Sequence, residues 1–481
     1  MNNKMIWNIV GRVVRIEAIL LLLPLITSII YTENFSVLAF LITAVIAFIL
    51  GGLLVFFTKT SNRIIYAREG FVIVALAWIS MSIIGSLPFI ISGKIPSFID
   101  ALFETVSGFT TTGASVVKDV TQLGYGLNLW RCFTHWIGGM GILVFVVAFI
   151  SKTSDRSIHV LRAEMPGPII DKITPRSKDT AKIPYLIYSG LTILLIVMLF
   201  LGKMPIYDSI VTALATAGTG GFGIYGDSVA SFSSYSQWVI AIFMLLFGVN
   251  FNVYFLIAIG KFKSAFKSAE LKVYILIFVS AVIVVLLNIL KTCANFEEAL
   301  RLSVFQVSSV MTTTGFSTAD YNLWSEMAKS TLLMLMIIGG SAGSSAGGLK
   351  VSRVMLLFKK IGAEFKRIIN PKRVNTIQLE GKRIDEASVS GVTSYFAIYV
   401  VLIAIIAFLL SIDGFSFETN LSASIACFNN IGPGFGAVGP IETYASFSPF
   451  SKIILMIAML LGRLEIYPLL IALAPSTWLK K

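Results

Sequence analysis

The sequence predicts an all-α integral membrane protein: four helix, pore-loop, helix units around one axis, two further helices at the N-terminus, and a break in the inner helix of the third unit. Three observations predict it. Of 481 residues, 56% are hydrophobic and 13% charged, and a mean hydropathy of +0.86 is too apolar for a chain solvated by water. Apolar runs of about 20 residues, enough to cross a hydrocarbon core of about 30 Å, recur along the chain; ten can be counted, plus one interrupted. Between them four short glycine loops return: Thr110-Thr111-Thr112-Gly113, Gly218-Thr219-Gly220-Gly221-Phe222, Thr312-Thr313-Thr314-Gly315-Phe316 and Asn429-Asn430-Ile431-Gly432.

Taken in order, residues 1–65 hold two apolar runs, 13–31 and 36–57. The first has no small-residue cleavage site and is expected to stay as a helix, not to serve as a signal peptide. The first unit, 66–160, is predicted to span at 69–92 and 128–150, and the second, 161–265, at 183–202 and 236–259. The third, 266–380, spans at 273–291 and again at 329–358 across a glycine-rich interruption, and the fourth, 381–481, at 390–411 and 450–474. The polar stretches 151–182 and 359–389 leave no room for a separate soluble domain.

The net charge of +13 is distributed as a membrane topology signal and not as a nucleic-acid footprint. Basic residues crowd alternate loops: Lys59, Arg63 and Arg68; Lys152 to Lys182; Lys261 to Lys272; and the dense run from Lys359 to Arg383. Both termini are therefore expected on the cytoplasmic face, with the glycine loops entering from outside. Cys132, Cys293 and Cys427 have neither disulfide nor metal spacing. His135, in Trp130-Arg131-Cys132-Phe133-Thr134-His135-Trp136, is expected at the membrane interface beside the tryptophans. No nucleophile, base and orienter constellation is visible, which argues against an enzyme.

The stretches before the loops, 100–109, 208–217, 297–311 and 417–428, read as helices reaching halfway through the membrane. Asp100, Asp208, Glu297 and Glu418 begin them, where a carboxylate is expected to cap free N–H groups and to line an outer mouth. Their C-terminal ends then point at the membrane centre and favour a cation. A glycine after one or two small or hydroxylated residues lets backbone carbonyls turn inward as ligands. The candidates are Thr111, Thr112 and Gly113; Thr219, Gly220 and Gly221; Thr313, Thr314 and Gly315; and Asn430, Ile431 and Gly432. The spacing leaves the register open in two loops, where Gly218 and Gly220 compete with Gly221 and where Gly434 competes with Gly432.

Within the third unit, Gly339-Gly340-Ser341-Ala342-Gly343-Ser344-Ser345-Ala346-Gly347-Gly348-Leu349-Lys350 interrupts a span. Each glycine costs a helix about 1 kcal/mol against alanine, so a break is expected, lining a water-filled cavity. Close helix packing through small residues is the competing reading. A phosphate-binding loop is excluded, because Leu349 stands where that motif needs lysine. Arg463, near the middle of the last run, must face the interior and find acceptors; a structural ion pair is the alternative, but Glu465 is on a different helix face.

These loops resemble those of the TrkH/TrkG/KtrB superfamily of bacterial potassium transporters, and the leading helix pair resembles its TrkH branch. The resemblance covers nearly the whole chain. It implies potassium as the transported ion in the bacterial inner membrane, no organic cofactor, and Gly113, Gly221, Gly315 and Gly432 as the filter glycines, the residues before them supplying ion-binding carbonyls. It also implies a gating loop over Gly340 to Gly348, including Gly343 and Gly347, with Arg463 below the filter as a positive barrier. A homodimer and a cytosolic ring of nucleotide-binding TrkA-type subunits are the implied partners. The filter is shorter than that of potassium channels, so sodium-coupled or less selective transport is the alternative.

Overall fold

A computed structural model describes residues 1–59, 66–141, 177–371, 376–379 and 382–478. It is helical throughout apart from a two-stranded ribbon, Gln378–Leu379 with Lys382–Arg383. The N-terminal pair is one span made of α1 (Asn3–Leu20) and α2 (Leu22–Ile30), followed by α3 (Asn34–Phe57). The first helix starts ten residues before the predicted 13, because Ile6 and Val10 already lie buried against the rest of the protein. Gly11 and Gly51 bring α1 and α3 into backbone contact: a Cβ on Gly51 would stand 2.6 Å from the Gly11 carbonyl oxygen.

Each unit then has the same order. In the first, α4 (Ala67–Ile91) precedes the short α5 (Phe98–Phe109) and then α6 (Tyr125–Gly139). The second contains α7 (Ser177–Leu201), the short α8 (Ile206–Ala217), α9 (Ser234–Phe247) and α10 (Phe251–Ala258). After the connecting α11 (Phe262–Lys267), the third contains α12 (Ala269–Ile289), the short α13 (Phe296–Met311), α14 (Glu326–Ile338) and α15 (Val351–Ile369). The fourth contains α16 (Glu386–Leu410), the short α17 (Phe417–Phe428), α18 (Pro449–Arg463) and α19 (Tyr467–Leu473).

The count of spans is corrected. Among the described residues six helices are long and apolar enough to cross a membrane, and a bent pair makes a seventh. The second spans expected in units two, three and four are not single long helices, because the helix after each of those loops is short or broken. The helices after the four loops, α6, α9, α14 and α18, have lengths of 15, 14, 13 and 15 residues, or about 20–22 Å at 1.5 Å per residue. The third-unit break was expected, but the chain also bends by 91° between α9 and α10. Between α18 and α19 it passes through a tight turn at Ile466, φ 65° and ψ −61°, closed by the Tyr467 N–H on the Glu465 carbonyl at 2.7 Å. That is the strained form of the three-residue turn, on a β-branched residue. Hydropathy averaged over a span does not register such breaks, because long apolar runs flank the few polar residues at each, Asn250 and Asn252 at one and Arg463 and Glu465 at the other. The predicted continuation of α6 to residue 150 lies outside the described residues.

Serines start three of these helices: Ser233, Ser325 and Ser448 each accept the N–H three residues on. The fourth, α6, has Gly124 there and borrows a carboxylate instead. Glu33, between α2 and α3, accepts the N–H groups of Tyr125 at 2.6 Å and Gly126 at 3.0 Å, and Tyr31 stacks on Tyr125 at 3.8 Å. The N-terminal pair is thereby pinned to the positive end of α6.

Candidate functional site

All four short helices end in one backbone pattern. The residue after the C-cap turns left-handed, with φ 56° at Thr111, 53° at Thr219, 55° at Thr313 and 56° at Asn430. Its N–H and the next one bond back into the helix: Thr111 to Gly108 at 3.1 Å and Thr112 to Ser107 at 2.9 Å, with the same pairs in the other three units. This is the paired closure that satisfies orphan carbonyls at a helix end, and it normally uses glycine. Here three threonines adopt it, a strained choice for a β-branched residue. Two residues later a glycine turns left-handed again, with φ 77° at Gly113, 75° at Gly221, 85° at Gly315 and 92° at Gly432.

The loops also close on one another in a ring. A Cβ on Gly113 would run into the carbonyl oxygen of Gly220, one on Gly221 into that of Thr314, one on Gly315 into that of Ile431, and one on Gly432 into that of Thr112. Each glycine thus faces the carbonyl just before the glycine of the following unit, and the fourth returns to the first. All four glycines line a single open cleft with a volume of about 110 Å³. The competing glycines lie elsewhere in the pattern. Gly218 caps α8 in a right-handed conformation and Gly434 bonds through its N–H to Val438 at 2.7 Å.

Behind the first two loops lies a buried ion pair that the sequence reading missed. Arg131 on α6 donates from Nε to Glu104 on α5 at 2.7 Å, both side chains being almost wholly buried. Glu104 also accepts from the Ser115 hydroxyl at 2.9 Å and the Val116 N–H at 3.0 Å, just after Gly113. Arg131 reaches the Gly223 carbonyl at 3.2 Å and lies 4.1 Å from the centre of the Phe222 ring. The exits of two loops are therefore held by one pair. Two ionisable groups inside membrane-embedded helices were the available signal, since such groups require a partner.

His135 is corrected from an interfacial to a buried position with no exposure. Gly218 and Gly220 give it room, because a Cβ on Gly220 would collide with its ring. The first-turn acids are corrected as well. The side-chain caps are Ser97, Asn295 and Ser416, with none at α8, and none of the four acids lines the cleft. Three instead bind the preceding unit's second helix: Asp100 takes Lys452 at 2.7 Å, Glu297 takes the Trp238 indole N–H at 3.0 Å, and Glu418 faces Lys329 at 4.0 Å. Asp208 accepts from the Tyr225 hydroxyl at 2.9 Å. They form a belt around the site and not its mouth.

The segment from Gly339 to Lys350 leaves the helix and turns left-handed at Gly339, Gly343, Gly348 and Lys350. It touches the loops above it, as the Gly347 N–H donates to the Thr313 hydroxyl at 2.6 Å and a Cβ on Gly347 would meet the Asn429 carbonyl. It also pairs with the α9–α10 bend: Ser341 N–H to the Gly248 carbonyl and Phe251 N–H to the Gly343 carbonyl, both at 3.0 Å. Glu270 on α12 accepts the Ala342 N–H at 2.7 Å. Gly340 takes no left-handed turn, but its carbonyl starts α15 by accepting the Val351 N–H at 3.0 Å.

Arg463 finds its acceptors among backbone carbonyls. It reaches Ser345 at 3.1 Å, Gly138 at 2.5 Å and Gly139 at 2.7 Å. It therefore joins the glycine segment of the third unit to the end of α6 in the first. Glu465 pairs with Arg353 at the start of α15, so the last helix break is tied to the third unit twice.

The sequence pattern of the TrkH family, described as a cation transport protein, matches residues 36–480. The potassium uptake protein TrkH of Salmonella typhimurium is 35% identical, covering 99% of this chain and all of its own length. The Trk system protein TrkG of Escherichia coli is 33% identical, covering 99% and 98%. The crystal structure of the potassium transporter TrkH from Vibrio parahaemolyticus superposes with a TM-score of 0.90 at 32% identity, covering both chains in full. A ring of four left-handed glycines in a multi-pass helical membrane protein thus sits in a chain similar to these from end to end: the protein belongs to the TrkH family, whose members are transport proteins and not enzymes.

Proposed function

We propose that the protein carries potassium into the cell across the bacterial inner membrane, through a pore whose narrowest part is the ring of four loops. The observation that carries this reading is the single cleft lined by Gly113, Gly221, Gly315 and Gly432. A potassium ion entering the ring exchanges hydration water for carbonyl oxygens, those of Thr112, Gly220, Thr314 and Ile431 together with those of Thr111, Thr219, Thr313 and Asn430. The glycines keep the ring open, since any side chain there would occupy the space of the next unit's carbonyl. The C-terminal ends of the four short helices add partial negative charge around the ion.

Beneath the ring, Gly340 to Gly348 and Arg463 act as the gate. The Arg463 guanidinium is a fixed positive charge next to the path, and it ties the glycine segment, through the Ser345 carbonyl, to the Gly138 and Gly139 carbonyls of α6. Both termini lie in the cytoplasm, and the protein works as a homodimer on a cytosolic TrkA-type ring. The basic α15, with Lys359, Lys360, Lys366 and Arg367, offers that ring or anionic lipid a docking face.

Radioactive rubidium uptake into proteoliposomes tests the reading. Potassium is expected to compete strongly and sodium weakly. Equal competition by both ions would support the less selective alternative, and no uptake in any variant would remove the pore. Deleting Gly343 to Gly347 is expected to raise basal uptake several-fold, and a closed, folded deletion variant would contradict the gate. Arg463→Ala is expected to raise it too; unchanged flux would make Arg463 a purely structural tie.

A further inference from the structure

The position of His135 bears on the ring itself. Its Nδ1 lies 2.8 Å from the Gly108 carbonyl oxygen, and its Nε2 lies 3.3 Å from the Phe222 N–H. A carbonyl only accepts and an amide N–H only donates, so one protonation state fits: a neutral ring with its hydrogen on Nδ1. Both contacts are parts of the loops. Gly108 also accepts the Thr111 N–H that closes the first loop, and Phe222 directly follows Gly221 in the second. The imidazole is thus a strut between adjacent loops, with the Phe222 ring centred 4.2 Å from its own and the Gly220 Cα beside it.

At the matching positions of the second and fourth units no side chain makes these contacts. Three residues before Gly462, the counterpart of Gly138, stands Met459, which reaches Asn430 only through its backbone carbonyl at 2.9 Å. Three residues before Gly248 stands Leu245, whose carbonyl accepts from the Tyr274 hydroxyl. The first and second loops are thus joined right at the glycines by a side chain with two opposed hydrogen bonds, whereas Asn322 joins the third and fourth units four residues beyond Gly432, donating to the Gly436 carbonyl at 3.3 Å and accepting its N–H at 3.1 Å. The Gly220 carbonyl, one of the oxygens of the ring, abuts Gly113 across this interface.

We propose that His135 is a positioning residue for ion discrimination, holding the Gly220 carbonyl at its place opposite Gly113 so that the ring does not contract around a smaller cation. The inference depends on the reading of the ring as a potassium filter. His135→Phe keeps an aromatic ring and removes both bonds; His135→Gln restores a donor and an acceptor on one side chain. In competition against rubidium uptake, His135→Phe is expected to let sodium compete about tenfold better, the scale of two neutral hydrogen bonds. His135→Gln is expected to return towards the parent. A His135→Phe variant that discriminates like the parent overturns the proposal.

Gly113→Ser run in parallel separates the two ideas. If it too leaves discrimination intact, the filter reading fails; if it alone changes, only the strut fails. Should His135→Phe not fold, the parent answers instead. The chain has two histidines, so His159→Asn leaves one imidazole, and nitrogen NMR of the labelled ring is expected to show the Nδ1-protonated tautomer with signals that move when potassium replaces sodium. Signals indifferent to that exchange overturn the proposal.

Discussion

Glu104→Ala is expected to be among the most destabilising single substitutions in the protein. It leaves the Arg131 guanidinium buried without its carboxylate, and removing one partner of a buried ion pair costs about 3–5 kcal/mol. It also strips an acceptor from the Ser115 hydroxyl and the Val116 N–H, directly after Gly113. The variant should melt far below the parent in detergent and take up little rubidium. The double variant Glu104→Leu with Arg131→Met removes both charges and should regain much of the melting temperature. Uptake should remain impaired, because the Gly223 carbonyl and the Val116 N–H stay without their side-chain partners. A single variant that melts with the parent would show that the pair contributes no stability.

Gly113→Ser and Gly315→Ser are expected to cost affinity and discrimination together with some stability. Each places a Cβ against a carbonyl oxygen of the neighbouring loop and holds a chiral residue at φ 77° or 85°. The left-handed conformation alone costs about 1–2 kcal/mol, and relieving the clash must push back Gly220 or Ile431. The displaced carbonyls are expected to weaken apparent potassium affinity about tenfold, or about 1.4 kcal/mol of binding. Competition curves against rubidium, compared at equal protein per liposome, measure it. Unchanged affinity and ion preference in folded variants would take these glycines out of the ion path.

The N-terminal pair shows what a hydropathy pattern conveys and what it omits. The two leading runs were legible because about 20 apolar residues suffice to mark a span. Glu33 was not, since nothing in its neighbourhood announces that it caps α6 some 92 residues later. The second helices show the same limit. Apolar runs resume after the bends at Gly248 to Asn250 and at Ile466, so their average composition predicted straight spans, whereas only backbone angles distinguish a turn from a helix.

Composition and the four recurring loops by themselves determined a helical membrane protein, its loop residues and its resemblance to a family of transporters. These features depend on residue type and spacing along the chain. Tertiary structure alone decided the cyclic contact of each glycine with the next unit's carbonyl, the pairing of Asp100 with Lys452 across 352 positions, and that Gly221 and not Gly218 takes the left-handed turn. It also decided that Arg463 is held by the carbonyls of Ser345, Gly138 and Gly139 and not by Glu465. The physical reason is that a left-handed turn, a buried hydrogen bond or a ring closure depends on which atoms the fold brings within about 3 Å, and sequence spacing carries no record of that distance.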